Sequence, residues 1–87
     1  MKVYNMESSN GNKVPNQFII EHKGKEYFQS YSSLIAVKEG EKVTLDSYYW
    51  DYSVTTGRYR NDFLNEGISE TRKKIKDGIY KLVNLNK

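Results

Sequence analysis

The sequence predicts an α+β fold: an antiparallel sheet of four to six strands, covered on one face by two short helices at about 55–65 and 69–77, with a C-terminal strand. Three observations carry this. Up to residue 46, apolar residues alternate with polar ones, and the segments are joined by short Gly-containing connections, the pattern of hairpins. After residue 53, caps and i, i+4 apolar pairs replace the alternation. Between them, residues 48–64 hold the only Trp, four of the eight Tyr and one of the three Phe. This stretch reads as the core staple of one domain spanning residues 1–87.

The elements follow in order. Val3, Tyr4 and Met6 suit a short first strand. Asn10-Gly11 is a strong turn signal, because both residues tolerate positive φ. Pro15 cannot donate to a strand ladder, which places it at an edge or before a strand. Residues 17–22 alternate Phe18, Ile20 and His22 against Ile19 and Glu21. Residues 25–31 set Tyr27, Gln29 and Tyr31 opposite Phe28 and Ser30, and Lys23-Gly24 joins the two as a hairpin. The apolar run 33–38 and the segment 41–46 form a second hairpin across Glu39-Gly40, with Val43 and Leu45 facing in and Lys42, Thr44 and Asp46 facing out.

Asp51, Ser53 and Thr55 are each able to cap the first helix. Tyr59 and Phe63 form its inner stripe with Leu64 beside them, while Arg58 and Asp62 make an outer i, i+4 pair. Gly67 ends this helix and Ser69 caps the second, whose buried side is marked by Ile68, Ile75 and Ile79. Gly78 is a left-handed stop, and residues 79–85 read as the final strand. The expected core is Trp50, Tyr52, Tyr59 and Phe63 with Phe18, Ile20, Leu34, Val43 and Leu45.

The totals bound the function. An 87-residue chain buries only about 60–65% of its unfolded surface, and without Cys no disulfide or thiolate metal site adds to that stability. Twelve aromatics therefore supply much of the core. No run of 18 apolar residues is present to cross a membrane, and the first residues lack the apolar stretch of a secretory signal. The expectation is a protein of the cytoplasm.

No catalytic residues and no cofactor are expected. The single His22 has no companions to make a metal site. Asp51 and Ser53 stand close in sequence, but capping accounts for both without a catalytic base. Thr55-Thr56-Gly57-Arg58 is too short for a phosphate-cradling loop.

The charge is unevenly spread. Residues 1–51 carry six Lys and seven Asp/Glu, a net −1, whereas residues 52–87 carry eight Lys/Arg and four Asp/Glu, a net +4. The candidate binding residues are accordingly Arg58, Arg60, Arg72, Lys73, Lys74 and Lys76, facing phosphate, an acidic protein surface or only solvent. Tyr31, Tyr48 and Tyr49 are candidate aromatic contacts, able to stack on bases or to serve a protein interface.

The run Tyr49-Trp50-Asp51-Tyr52-Ser53-Val54-Thr55-Thr56-Gly57-Arg58-Tyr59-Arg60-Asn61-Asp62-Phe63-Leu64 resembles a family of small uncharacterised domains from phages, plasmids and other mobile elements of Gram-positive bacteria. Asn16-Gln17-Phe18, Phe28-Gln29-Ser30-Tyr31, Thr71-Arg72-Lys73-Lys74-Ile75 and Tyr80-Lys81-Leu82 extend the resemblance over most of the chain. The resemblance implies an origin in such elements. Together with the lack of a catalytic constellation, it leads to the expectation of a non-enzymatic protein of the host cytoplasm that binds a host macromolecule. The implied role is that of an anti-defence inhibitor, such as an anti-CRISPR acting on a CRISPR effector or other defence nuclease. The net charge of +3 argues for action by protein binding and against mimicry of acidic DNA. The alternatives are a small nucleic-acid-binding accessory protein using the basic C-terminal patch, and a homodimer built through an exposed Tyr-rich sheet face.

Overall fold

The computed structural model describes residues 1–87. Its strands are β1 (Lys2–Glu7), β2 (Lys13–His22), β3 (Lys25–Ser30), β4 (Ser33–Glu39), β5 (Lys42–Asp46) and β6 (Tyr80–Val83); its helices are α1 (Val54–Leu64) and α2 (Ile68–Lys76), both lying between β5 and β6. All six strands join one sheet in chain order. β1 to β5 are antiparallel neighbours, but β6 runs parallel to β5. A parallel neighbour requires a crossover connection. Here α1 and α2 are that crossover, which explains why the two helices follow each other directly and why the final strand departs from the antiparallel pattern.

Local chemistry sets each turn. Lys23 and Gly24 both adopt left-handed backbone, with φ of 52° and 79°, the geometry that lets a two-residue hairpin follow the twist of its strands. Pro15 lies inside β2, where the pairing with β1 jumps from Asn5↔Phe18 to Glu7↔Lys13. Its missing N–H is tolerated at that irregularity. The Ser53 side chain caps α1 by accepting from the Thr56 N–H at 3.1 Å. Asn65, at φ 56°, ends α1 in the left-handed region, so Gly67 is not the stop. Gly67 is instead the cap of α2, and Ser69 falls inside that helix.

The covered face of the sheet carries Ile19, Phe28, Ile35, Ala36, Val43, Leu45 and Tyr80, closed over by Tyr59 and Phe63 of α1. Phe28 is fully buried and its ring lies 5.8 Å from that of Phe63. Lys38 reaches over the same layer, donating to the Phe63 carbonyl at 2.8 Å with its ammonium 4.3 Å from the Phe63 ring centre.

Several core expectations are corrected. In β2 the inward residues are Gln17 and Ile19, because Ile19 pairs with Phe28, and a strand shows alternate residues to opposite faces. Phe18 and Ile20 therefore sit half-buried on the open face, Ile20 in a cross-strand row with Tyr27 and Val37 and Phe18 opposite Gln29. A bulge between Phe28/Gln29 and Ala36/Leu34 makes Ile35 the extra residue. That turns Ile35 and Ala36 both inward and leaves Leu34 only half-buried.

Trp50 packs at the edge of the core, half-buried. Tyr52 is 61% exposed, and so is Ile79, at 60%. None of the six ion pairs joins Arg58 to Asp62.

Candidate functional site

The six candidate cations do not form one patch. Arg60 is buried, 1% exposed. Its Nη1 donates to the Trp50 carbonyl at 2.8 Å and to Asp51 Oδ1 at 3.1 Å, and its Nη2 donates to Asn61 Oδ1 at 3.0 Å. The guanidinium lies 5.3 Å from the Trp50 ring centre, so it staples the chain at residues 50–51 to α1 and has no face left for a partner. Lys74 is held by Glu66 at 2.7 Å and Glu70 at 3.3 Å. Arg72, exposed, reaches Asp51 Oδ2 at 3.3 Å. Arg58, Lys73 and Lys76 are exposed and enter none of the ion pairs. Three unengaged cations on two helices make a thin electrostatic footprint for phosphate binding.

The tyrosines do converge. Asp46, expected to face solvent, is 1% exposed and closes the turn after β5. Its Oδ2 accepts the N–H groups of Tyr48 at 3.1 Å and Tyr49 at 2.7 Å, and its Oδ1 accepts that of Leu85 at 2.7 Å. This clamp presents Tyr48, which contacts the Tyr49 ring edge-on at 4.7 Å and the Tyr52 ring at 6.0 Å; Tyr49 and Tyr52 are 5.1 Å apart. Tyr48 is 71% exposed and Tyr31 is 55% exposed, while Tyr49 is half-buried beneath its neighbours. Tyr31, Tyr49 and Tyr52 line one cleft of about 520 Å³ between the β3–β4 turn and the start of α1.

Tyr31 and Tyr48 are exposed as expected, whereas Tyr49 is half-buried against the core; the sequence reading missed Tyr52 and the serines and threonines around them. The serine run 30–33 and the capping segment 53–56 look unrelated until a hydrogen bond of 2.9 Å between Ser30 Oγ and Thr56 Oγ1 joins them.

The three side chains weighed for catalysis, Ser53, Asp51 and His22, are placed as follows. Ser53 Oγ serves the helix cap, and Asp51 is engaged by two arginines. His22 ends β2 at the opposite end from Gln17, the partner of Ser30. Five strand residues put it about 17 Å from the cleft, too far to act as its base. No three His, Asp or Glu side chains come together as a metal site needs, and no helix is long and apolar enough to cross a membrane.

Glu66 is a second enclosed acid, its side chain 3% exposed. Its oxygens accept from Thr71 Oγ1 at 2.6 Å, Lys74 Nζ at 2.7 Å and the Tyr80 hydroxyl at 2.8 Å. This network ties the α1–α2 connection to α2 and β6.

Both buried acids stay charged. Burial pushes Asp46 up, but the N–H groups of Tyr49, Leu85 and Tyr48 outweigh it and hold the carboxyl below its usual value. Burial likewise pushes Glu66 up and is outweighed by Lys74, Thr71 and Tyr80, leaving it lowered. A carboxylate depressed in the folded state contributes stability above its unfolded pKa of about 4 and loses it as the pH falls through its folded value. Thermal melting is therefore expected to give a steady Tm from about pH 7 to about pH 5 and a falling one below. In Asp46→Asn/Glu66→Gln the neutral-pH Tm is lower and the acid fall shallower. An acid limb unchanged by the double substitution would contradict this assignment.

A family model described as a family of unknown function, DUF8033, matches residues 1–79. The chain belongs to the DUF8033 family. The match spans β1 to β5 and both helices, and so takes in the tyrosine cluster, Asp46 and Arg60, while Leu85, the third donor to Asp46, lies beyond it. No curated protein matches this DUF8033 chain, and no solved structure does.

Proposed function

We propose that this DUF8033 protein is a non-enzymatic binding protein of a mobile element, docking on a host protein through its tyrosine-rich end. Its role is that of an anti-defence inhibitor, such as an anti-CRISPR, acting by protein contact and not as a DNA mimic. One observation carries the docking surface: Tyr31, Tyr48, Tyr49 and Tyr52 gather at one end of the sheet, three of them more than half exposed.

Tyr is enriched at interface centres because it offers a large rigid apolar body with a polar tip. Val54, 93% exposed at the start of α1, continues the surface. The mobile-element origin comes from the resemblance centred on residues 49–64, and the inhibitory role is inferred from that origin. Supporting protein over nucleic acid is the withdrawal of Arg60 and Lys74 into internal pairs.

The test is capture from lysate of a Gram-positive host, with Tyr48→Ala/Val54→Asp as the comparison. Both positions are exposed, and an acid in the first turn of α1 favours the helix, so the variant is expected to melt like the parent. The expected result is one host protein retained by the parent and lost by the variant. Equal retention by both would remove the tyrosine-rich end from the interface.

A further inference from the structure

The cleft between the β3–β4 turn and α1 has a lining unlike the rest of the molecule. Charged residues make up 29% of the chain, yet none lines this cleft. Nine of its ten lining residues carry a hydroxyl, and the tenth is Ile35. We propose that it is a binding site for a neutral carbohydrate. This reading goes beyond the protein-docking surface and stands on different chemistry.

At about 520 Å³, the cleft falls within the size range of small-molecule sites, about 300–1,000 Å³. Its floor is set by a chain of three hydroxyls: Ser30 Oγ lies 2.9 Å from Thr56 Oγ1, which lies 3.2 Å from Ser53 Oγ. The hydroxyls of Ser32, Ser33, Thr55 and the three tyrosines form no hydrogen bond within the protein; the side-chain bonds at the cleft join Ser30 and Ser53 to Thr56, the Thr56 N–H to Ser53 Oγ, and Gln29 Nε2 to the Tyr31 carbonyl.

A hydroxyl both donates and accepts and rotates to suit its partner, as the hydroxyls of a sugar do. The negative face of a tyrosine ring attracts the weakly positive C–H face of a sugar ring. A nucleobase asks for fixed donor–acceptor edges, usually from Asn, Gln or Arg, and a nucleotide asks for cations at its phosphate. Neither is among the lining groups.

Tyr31 adds a second observation. It occupies the left-handed region at φ 57°, where a side chain is strained and glycine is not. Two bonds pin it there: its N–H donates to the Asn16 carbonyl at 2.6 Å, and its carbonyl accepts from Gln29 Nε2 at 2.7 Å. The fold thus holds an aromatic ring at the lip of the cleft where glycine makes the easier turn. Strain kept in this way is characteristic of functional positions.

The experiment is an amide NMR titration of the full chain with maltose, cellobiose, mannobiose and N,N′-diacetylchitobiose. Each is raised to about 10 mM, enough to reveal a Kd of about 1 mM. At least one disaccharide is expected to shift residues 30–33 and 52–56 saturably. Tyr31→Gly is expected to melt at or above the parent temperature and to weaken binding at least tenfold, with Tyr52→Ala doing likewise at unchanged Tm.

Absence of shifts with all four sugars overturns the proposal. So do shifts produced by adenosine or uridine and by no sugar. Tyr48→Ala/Val54→Asp leaves the cleft lining intact and is expected to bind sugar normally, so failure of the docking surface and failure of the carbohydrate site are read separately.

Discussion

Replacing Phe28 with alanine is expected to destabilise the protein by about 3–5 kcal/mol, most of the stability that a chain of this size holds. Phe28 is fully buried in the central part of the sheet, against Phe63. Its pairing with Ile19 on one side and Ala36 on the other fixes which residues of β2 and β4 face the helices. Deleting the ring opens a cavity beneath α1 that the stiff sheet cannot close, and the cost rises with the cavity that remains. Urea unfolding followed by tryptophan fluorescence reads the effect directly. A loss below about 1 kcal/mol would place the centre of the core elsewhere.

The second large effect is expected at Arg60. Arg60→Ala removes the donors to the Trp50 carbonyl, Asp51 and Asn61 and the packing under the Trp50 ring. Leaving a buried acceptor without a donor costs about 1–3 kcal/mol, and lost packing adds to it, for a total of about 3 kcal/mol. Arg60→Lys is expected to recover little, because one ammonium cannot reproduce the guanidinium fork across three acceptors. Trp50 fluorescence should shift to the red in both variants. A lysine variant as stable as the parent would mean that charge alone, and not the fork, matters at this position.

Arg60 also shows where sequence reasoning failed. Its position within Arg58-Tyr59-Arg60 gave it the look of a solvated basic cluster, and only the fold of residues 47–52 around Asp46 brings Asp51 and the Trp50 carbonyl over it. Trp50 was expected to be the staple; the guanidinium beneath it performs that task while the ring stays half-buried. The same turn buries Asp46, which period-two alternation assigned to solvent. Alternation reports which residues share a face, not that a strand's last carboxylate is needed to gather three N–H groups.

What was legible was local. Both hairpins, the short helices and the C-terminal strand follow from glycine-containing turns, caps and apolar spacing. The face of β2 was not legible, because Phe18 and Ile20 are as apolar as the residues that won. Phe28 on the neighbouring strand and the bulge at Ile35 decide it. The parallel placement of β6 was likewise invisible, since direction depends on the two-helix crossover. For the site, Tyr31 and Tyr48 are exposed as expected. The hydroxyl cleft was not legible, because Ser30 and Thr56, whose hydroxyls join its two halves, are 26 residues apart and each half has an ordinary local role.

On the proposed function, the molecule binds through its aromatic end and not through its basic helix. The most direct measurement is a salt titration of binding to single- and double-stranded nucleic acid, with Arg58→Ala/Lys73→Ala/Lys76→Ala beside the parent. Phosphate binding weakens steeply as salt rises. No binding to either nucleic acid is expected at physiological salt, for parent and variant alike. Tight binding there, falling steeply with added salt and abolished in the triple variant, would contradict it and return the function to the three unengaged cations.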